Sequence, residues 1–496
     1  MDCIIIGAGN AGRPVARLLN YIGHNVTITD PKKLEDFHDD FQKYLQIMEK
    51  EGVKLDLGNM APNLDGFTHV YTAPTLPENS PAAQAVKKSN LKKITNEDFG
   101  KMVDELIKPD IIGITGSVGK TSTTHIVDSM FRAAGYKIWK CSSMNQNLVS
   151  EVIVDGIIKG LPDKADIAIL ELPHGTAGLM GELNLKVGAL LNVYEEHLSE
   201  FGGSMERYIQ RKMFITKHSE KLISSTQCKD ILKDKRPDTL YYGMINNLPG
   251  YDEGKNLFEQ LNTENGIIIG KFDDGNNQIC NFIGESGHNS IKIGYNFEGK
   301  SNQFESEFHM MSYYFENALA STAIAMAYGL DIKYIKEGLK NFKGLAVHME
   351  YVGNYNGREV FIDASYLVEG MKATLEFFED KPLVVLLDNF DTTTKRDKKE
   401  TGKLIGNYAD VMVATGFNEP YQKVFMEPAQ ELLDAAKDSN ATKILAETMV
   451  DGAEMCIKYS KPGDNILHLG PQLMQNYESV REKIIKGLEE GCKKYE

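Results

Sequence analysis

Cysteine is scarce in this chain: six residues in 496, at positions 3, 141, 228, 280, 456 and 492. None forms a CxxC pair or another metal-ligand spacing, which excludes a disulfide framework and a thiolate metal centre and leaves reduced structural thiols. No apolar run reaches the length of a membrane span, and the opening MDCIIIGAGN lacks the basic segment of a signal peptide. A cytoplasmic protein is expected. Basic charge is in deficit as well, with 55 Lys and Arg against 70 Asp and Glu and a formal net charge of −15. That balance argues against non-specific binding to nucleic acid or anionic membrane, while a local cationic site for phosphate stays open. Low-complexity tracts and internal repeats are also missing. The hydrophobic share of 42% and charged share of 25% are ordinary for a globular chain, and the length suits two to four domains.

What is present is a stretch built for phosphate. Residues 110–135 read DIIGITGSVGKTSTTHIVDSMFRAAG. An apolar strand, Ile111 to Ile114, runs into Gly116-Ser117-Val118-Gly119-Lys120-Thr121-Ser122, and a helix follows with Ile126, Val127, Met130 and Phe131 on one face. Backbone N–H groups converge at such a helix start, Lys120 adds a cation, and the Thr121 hydroxyl can hold Mg²⁺. Ile114 stands where the strict P-loop pattern has its first Gly, so the match is to the physics of the motif rather than to its full spacing. An ATP or GTP site is expected here.

A second nucleotide-type unit opens the chain. The strand CIII leads to Gly7-Ala8-Gly9-Asn10-Ala11-Gly12, a helix carries Val15, Ala16, Leu18 and Leu19 on one face, and the strand NVTITD ends at Asp30. Glycines at i, i+2 and i+5 with an acid closing the second strand make the dinucleotide fingerprint. By motif alone NAD or FAD would be favoured, yet the geometry suits any pyrophosphate, and a Rossmann-like unit that binds nothing is also compatible. A dehydrogenase would leave the second nucleotide site unexplained.

The rest reads as α/β. The segment 70–95 predicts strand, a loop with Pro74, Pro77 and Pro81, helix and strand. Ala165–Leu172 and Val187–Val193 predict buried strands, the first with Glu171 at its carboxyl end, where ligands of open α/β sheets bind. Small hairpins are expected over 240–300, and helices over Phe315–Leu330 and Ile332–Phe342. From about 350, EVFIDA, LVVLLD, VMVATG and NILHLG alternate with helices, as in a third open α/β domain. Glu171, His197 and Lys212 all fall at or after strand ends. Read singly they are a solvated edge residue, a helix-start residue and a surface lysine; spacing alone favours those readings, with a joint metal site as the alternative.

In order along the chain, Gly113-Ile-Thr-Gly-Ser-Val-Gly-Lys-Thr-Ser, Glu171, Asn192-Val-Tyr-Glu-Glu-His197-Leu, Ser204-Met-Glu-Arg-Tyr-Ile-Gln-Arg-Lys212 and Asn317-Ala-Leu-Ala resemble the Mur ligase family of ATP-dependent amide-forming enzymes. Phe361-Ile-Asp363-Ala-Ser and Asp397-Lys-Lys match less closely. The Gly7–Gly12 unit, with Ala73-Pro-Thr-Leu-Pro-Glu-Asn-Ser-Pro, is similar to the UDP-binding domain of the member that adds D-glutamate in murein synthesis. The resemblance runs from about residue 2 to 475. It implies three domains: a Rossmann-like UDP-substrate domain at 1–105, a central P-loop ATPase-type α/β domain at 106–348, and a smaller Rossmann-like domain at 349–496.

The resemblance also implies a reaction and its residues. ATP would phosphorylate a carboxylate on a UDP-linked precursor, and the amine of a free amino acid would attack the acyl phosphate. Lys120 would neutralise the β/γ-phosphates within an ATP site of Gly116 to Ser122, Thr121 would bind one Mg²⁺, and Glu171 and His197 a second. Lys212 would carry a carbamate that helps to organise the metal. Asn317 would lie near the adenine, with His348 and Asp363 reaching the ATP as the domains close. The UDP-linked substrate would rest on Gly7, Ala8, Gly9, Asn10, Ala11, Gly12 and Asp30, together with Thr72 and Asn145. His348 stands where the family usually has Arg, and Tyr366 where many members carry Lys or His. Those departures point to a divergent branch such as the archaeal pseudomurein peptide ligases. A Mur-type ligase on a folate or tetrapyrrole scaffold, and a non-catalytic nucleotide-binding regulator, are the alternatives.

Overall fold

Strands buried on both faces need helices above and below them, and the alternation of apolar strands with amphipathic helices in this chain meets that need. The computed structural model describes residues 1–145, 148–194, 203–244, 262–263, 266–271, 277–287, 290–308, 310, 312–346, 348–365, 368–388, 397–418, 423–470 and 477–495. They fall into two compact units, Met1–His309 with Tyr314–Phe342, and Met310–Tyr313 with Lys343–Glu496.

The first unit holds two principal sheets. Strands β1 (Asp2–Ile6), β2 (Asn25–Asp30), β3 (Lys54–Leu57), β4 (His69–Thr72) and β5 (Lys92–Ile94) form a parallel sheet in the order β3-β2-β1-β4-β5. The order in which the strands are laid down reverses between β1 and β4, so the crevice at their carboxyl ends is the ligand position of such a sheet. Helices α1 (Gly12–Tyr21), α2 (Asp39–Lys50), α3 (Pro81–Lys88) and α4 (Asn96–Leu106) complete this part. Val15, Ala16, Leu18 and Leu19 of α1 are all buried, as their spacing predicts.

The second sheet has nine strands. β6 (Asp110–Thr115), β7 (Ile138–Cys141), β8 (Ile167–Glu171), β9 (Leu185–Leu190), β10 (Ser219–Ser225) and β11 (Leu240–Met244) are parallel to their neighbours. A small separate sheet follows, β12 (Asn262–Thr263), β13 (Gly266–Lys271) and β14 (Asn277–Cys280). β15 (Phe282–Ser286) then extends the large sheet in parallel, while β16 (Ser290–Phe297) and β17 (Lys300–Glu307) close it as antiparallel strands. The hairpins expected over 240–300 are thus β12–β14 and β15–β17. In the order β17-β16-β15-β11-β10-β9-β6-β8-β7, β6 lies between β8 and β9, so the carboxyl ends of those two strands flank the turn after Thr115. Helix α5 (Lys120–Ala133) leaves that turn, and α6 (Val149–Ile158), α7 (His174–Leu179) and α8 (Met205–Lys212) follow. Ile126, Val127, Met130 and Phe131 of α5 are fully buried. One apolar core runs through both sheets, taking in Ile5, Leu18 and Ile28 of the first with Trp139, Ile153 and Leu170 of the second.

The second unit is built on a six-stranded sheet: β18 (Glu350–Tyr355), β19 (Arg358–Asp363), β20 (Leu383–Leu387) and β21 (Val411–Thr415), then, after the short ribbon β22 (Phe417–Asn418) and β23 (Lys423–Val424), β24 (Thr442–Ala446) and β25 (Asn465–Leu469). Its order is β18-β19-β25-β20-β21-β24, and only β18 is antiparallel to its neighbour. Alternate residues feed two separate cores. Val385, Leu387 and Leu467 pack with Phe378, Ile405 and Leu432. Val384, Leu386 and Ile466 pack with Met449, Ile457 and Ile484 on the other face. Among the described residues no helix is long and apolar enough to cross a membrane.

Candidate functional site

The turn after β6 is held from the neighbouring strand. Asn192, just beyond β9, accepts hydrogen bonds at Oδ1 from the N–H groups of Ser117 (3.0 Å) and Val118 (2.9 Å), and its Nδ2 donates to the Val118 carbonyl at 3.2 Å. Ser117 Oγ accepts from the Tyr194 N–H at 2.9 Å and shares a hydrogen bond of 2.9 Å with the buried Tyr208 hydroxyl of α8. Gly119, at the start of α5, has φ of +82°, a backbone region that costs an L-residue about 1–2 kcal/mol. A Cβ there would also stand 2.4 Å from Asn317 Oδ1. The turn is thereby shaped for close approach of an anion to its backbone.

Lys120 Nζ curls over this turn and donates to the Ser117 carbonyl at 2.5 Å, a bond that a phosphate oxygen can take over. Ser122, in the first turn of α5, is buried behind it. At the mouth, Glu171 closes β8 with only 2% of its surface exposed. Its carboxylate accepts from the Thr121 hydroxyl at 3.1 and 3.2 Å, from the Ser143 N–H at 3.0 Å and from Ser143 Oγ at 3.3 Å. The two hydroxyls are 3.0 Å apart. A carboxylate and two hydroxyls converging on one point are hard oxygen donors, which suits Mg²⁺. Among the described residues no cluster of three His, Cys, Asp or Glu is present, so a metal here would take hydroxyl and phosphate oxygens as well.

Lys212 is not a surface lysine. It is 1% exposed at the end of α8, donates from Nζ to the Gly116 carbonyl at 2.8 Å, and lies 4.7 Å from the Tyr208 ring centroid. Asn317, in the helix Ser312–Tyr328, stands against Gly119 and accepts from Thr123 Oγ1 at 3.4 Å. It therefore abuts the phosphate turn itself. His197 lies outside the described residues, as do Tyr366 and the side chain of Asn145.

The N-terminal crevice is a second, smaller construction. Gly7 has φ of +102°, and a Cβ on Gly12 would fall 1.8 Å from the Gly7 carbonyl oxygen, so both glycines are required by the backbone. Asp30 caps the turn: Oδ2 accepts from the Ala8 N–H at 2.8 Å and Oδ1 from the Lys32 N–H at 2.9 Å. A cavity of about 280 Å³ opens beside it, lined by Gly9, Asp30, Lys32, Asp36, Phe37, His38 and Phe41. Thr72 closes β4 across from Ile6, Asn10 is exposed, and Ala11 precedes α1.

In the second unit, Asp363 ends β19 and is buried, with Oδ2 accepting from the Met349 N–H and Oδ1 from the Ser365 N–H, both at 2.8 Å. His348, half-buried, points Nδ1 at the Ala346 carbonyl at 3.0 Å. Asp363 thus serves the loop before β18. Sequence reading missed Ser143 and the clamping role of Asn192. Asn192 stood in plain view at the head of the NVYEEH run, whereas Ser143 follows a four-residue strand with no motif to mark it.

Three comparisons bear on this arrangement. Residues 114–325 match the Mur ligase middle domain. An uncharacterised protein of Methanothermobacter thermautotrophicus is 35% identical over 217 residues, covering 43% of this chain and 69% of that one. The UDP-N-acetylmuramoylalanine–D-glutamate ligase of Streptococcus mutans is 24% identical over 474 residues, covering 94% of this chain and 90% of its own. Among solved structures, a pseudomurein peptide ligase type C from Methanothermus fervidus has the same fold, with a TM-score of 0.57, 23% identity, and coverage of 98% of this chain and all of that one. The phosphate turn, Glu171 and Lys212 all lie inside the matched middle domain, and the chain belongs to the Mur ligase family.

Proposed function

We propose that this protein is an ATP-dependent, ADP-forming ligase that joins an amino acid to a carboxylate on a UDP-linked precursor, and that the product is a cell-wall peptide of the pseudomurein type. The observation that carries the reading is the convergence of Thr121 and Ser143 on Glu171 at the mouth of the Lys120 turn, within the same compact unit as a second nucleotide-type crevice. Likeness in fold to a pseudomurein peptide ligase supports the narrower part.

The chemistry follows from the residues. A carboxylate oxygen of the precursor attacks the γ-phosphorus of ATP, the bond to the bridging β–γ oxygen breaks, and ADP leaves. The amine of the amino acid then attacks the acyl carbon, phosphate departs with its bridging oxygen, and the amine proton passes to solvent. No enzyme nucleophile is needed; negative charge must be gathered and held. The N–H groups at the start of α5 and the Lys120 ammonium meet the phosphates. Thr121, Glu171 and Ser143, with His197, would hold magnesium, which supplies charge neutralisation when bound. Lys212 takes the carbamate: its neutral amine adds CO₂, a C–N bond forms and one proton is lost, turning a cation beside the turn into a carboxylate.

The test is ADP release with UDP-linked glutamyl and muramoyl acceptors, each offered with the common amino acids, with and without Mg²⁺. Release is expected for one acceptor and one amino acid, only with Mg²⁺, and lost in K120A. Release without an acceptor would reduce the protein to an ATPase of this fold. Turnover of a folate or tetrapyrrole acceptor would replace the cell-wall reading.

A further inference from the structure

A charged side chain is fully buried only when the fold uses it. Arg13, in the first turn of α1, is 0% exposed. Its Nη1 donates to the Ala8 carbonyl at 2.8 Å, its Nε to Glu151 Oε1 at 2.8 Å, and its guanidinium lies 3.5 Å from the centroid of the Phe41 ring. Nη2 has no hydrogen-bond partner among the described residues. Since the Ala8 N–H is taken by Asp30, Ala8 is gripped at both backbone groups, by Asp30 from one side and Arg13 from the other. Phe41, which the guanidinium covers, lines the cavity beside that turn.

The anchor of Arg13 is not part of the first sheet. Glu151 belongs to α6 of the nine-stranded sheet, and its side chain is 4% exposed. One helical turn on, a second pair repeats the arrangement: Arg17 donates to Asp155 of α6 and, at 2.7 Å from both Nε and Nη2, to Glu51. The Tyr44 hydroxyl donates to Asp155 at 3.2 Å. Positions 13 and 17, like 151 and 155, are four apart, so each helix turns one face to the other. α6 itself comes soon after the turn Ser143–Asn145, whose Ser143 holds Glu171.

We propose that Arg13 is a positioning residue for the N-terminal crevice, held in place by Glu151, so that the Gly7–Gly12 turn takes its binding shape only with α6 docked against α1. The inference rests on the reading of that crevice as the seat of the precursor's uridine diphosphate. The crevice turn is then braced, through Arg13, from α6, a helix packed on the nine-stranded sheet. Glu151 is also the right kind of anchor, because a buried carboxylate fixes the direction of the guanidinium fork while leaving Nη1 free for the Ala8 carbonyl.

Two variants of the full chain test this. R13K keeps the charge but cannot reach Ala8 and Glu151 together; R13M/E151L replaces the buried pair by apolar side chains of similar volume, an exchange that generally preserves stability. Hydrogen exchange without ligand should show faster exchange at the amides of residues 8–12 in both variants, while a cooperative melt shows the double variant folded. Calorimetric titration should show UDP binding weakened roughly tenfold, a coupling of ordinary size, with ADP binding on the Lys120 turn unchanged. Protection of residues 8–12 equal to that of the parent protein would overturn the inference, as would equal losses for UDP and ADP. If the parent protein fails to bind UDP, the reading of the crevice falls, and the exchange data still decide the role of Arg13.

Discussion

Glu171 is buried, yet its carboxylate is fully engaged, by the Thr121 hydroxyl and by both the N–H and hydroxyl of Ser143. Removing one hydroxyl from such a site leaves the N–H in place, so S143A is a graded perturbation. A hydrogen bond to a charged group contributes about 1.5–3 kcal/mol, and the surviving N–H keeps part of the hold. S143A should raise the Mg²⁺ concentration for half-maximal ADP release several-fold and lower the melting temperature by a few degrees at most; an unaltered Mg²⁺ titration would remove Ser143 from the site. Glu151 offers a pH test at the same scale. Burial pushes its carboxyl above the ordinary 4.5, against the pull of Arg13. The folded state therefore binds its proton more tightly than the unfolded chain, and this contribution to stability is present below pH 4.5 and lost as pH rises through the raised value. E151Q cannot titrate, so its melting temperature should gain on that of the parent protein as pH increases from about 4.5 toward neutrality. A constant difference would contradict that shift.

At the scale of elements, strand, turn and helix do the work of the motif. β6 delivers Thr115, whose hydroxyl donates to the Leu172 carbonyl at 2.8 Å and ties β6 to the end of β8. The turn then needs Gly119 in a left-handed conformation against Asn317. G119A should keep the fold but lose ADP binding by more than about tenfold, since strain of about 1–2 kcal/mol adds to a clash with Asn317. Gly9, by contrast, has nothing within 4 Å of an added Cβ. G9A should melt with the parent protein. A melt of each variant and an ADP titration check the contrast, and ADP binding by G119A equal to that of the parent protein would show that the phosphate turn tolerates a side chain.

Among the described residues the two bodies have separate cores: in the first, one shared by the five- and nine-stranded sheets and a smaller one around Ile4, Ile6 and Val70, and in the second, one on each face of the six-stranded sheet. Cooperative unfolding follows shared cores. Calorimetry should resolve two transitions, with any shift caused by R13M/E151L confined to the one that belongs to Met1–His309 with Tyr314–Phe342. A single transition displaced as a whole would show that the two bodies unfold together.

The phosphate turn, the N-terminal glycine unit and the alternation of strands and helices were legible in the amino-acid sequence, because local conformation and binding chemistry there reside in adjacent residues. Gly116 to Thr121 needs only its own backbone to be recognised, and the order of short motifs was enough to place the chain in its family. Other features depended on folding. Lys212 reads as a plain lysine until α8 buries it against Gly116; Ser143 meets Glu171 because β7 and β8 are neighbours. Arg13 finds Glu151 across 138 positions because two helices pack face to face. Contacts between residues far apart in the chain carry no local signature, and only the tertiary structure decided them.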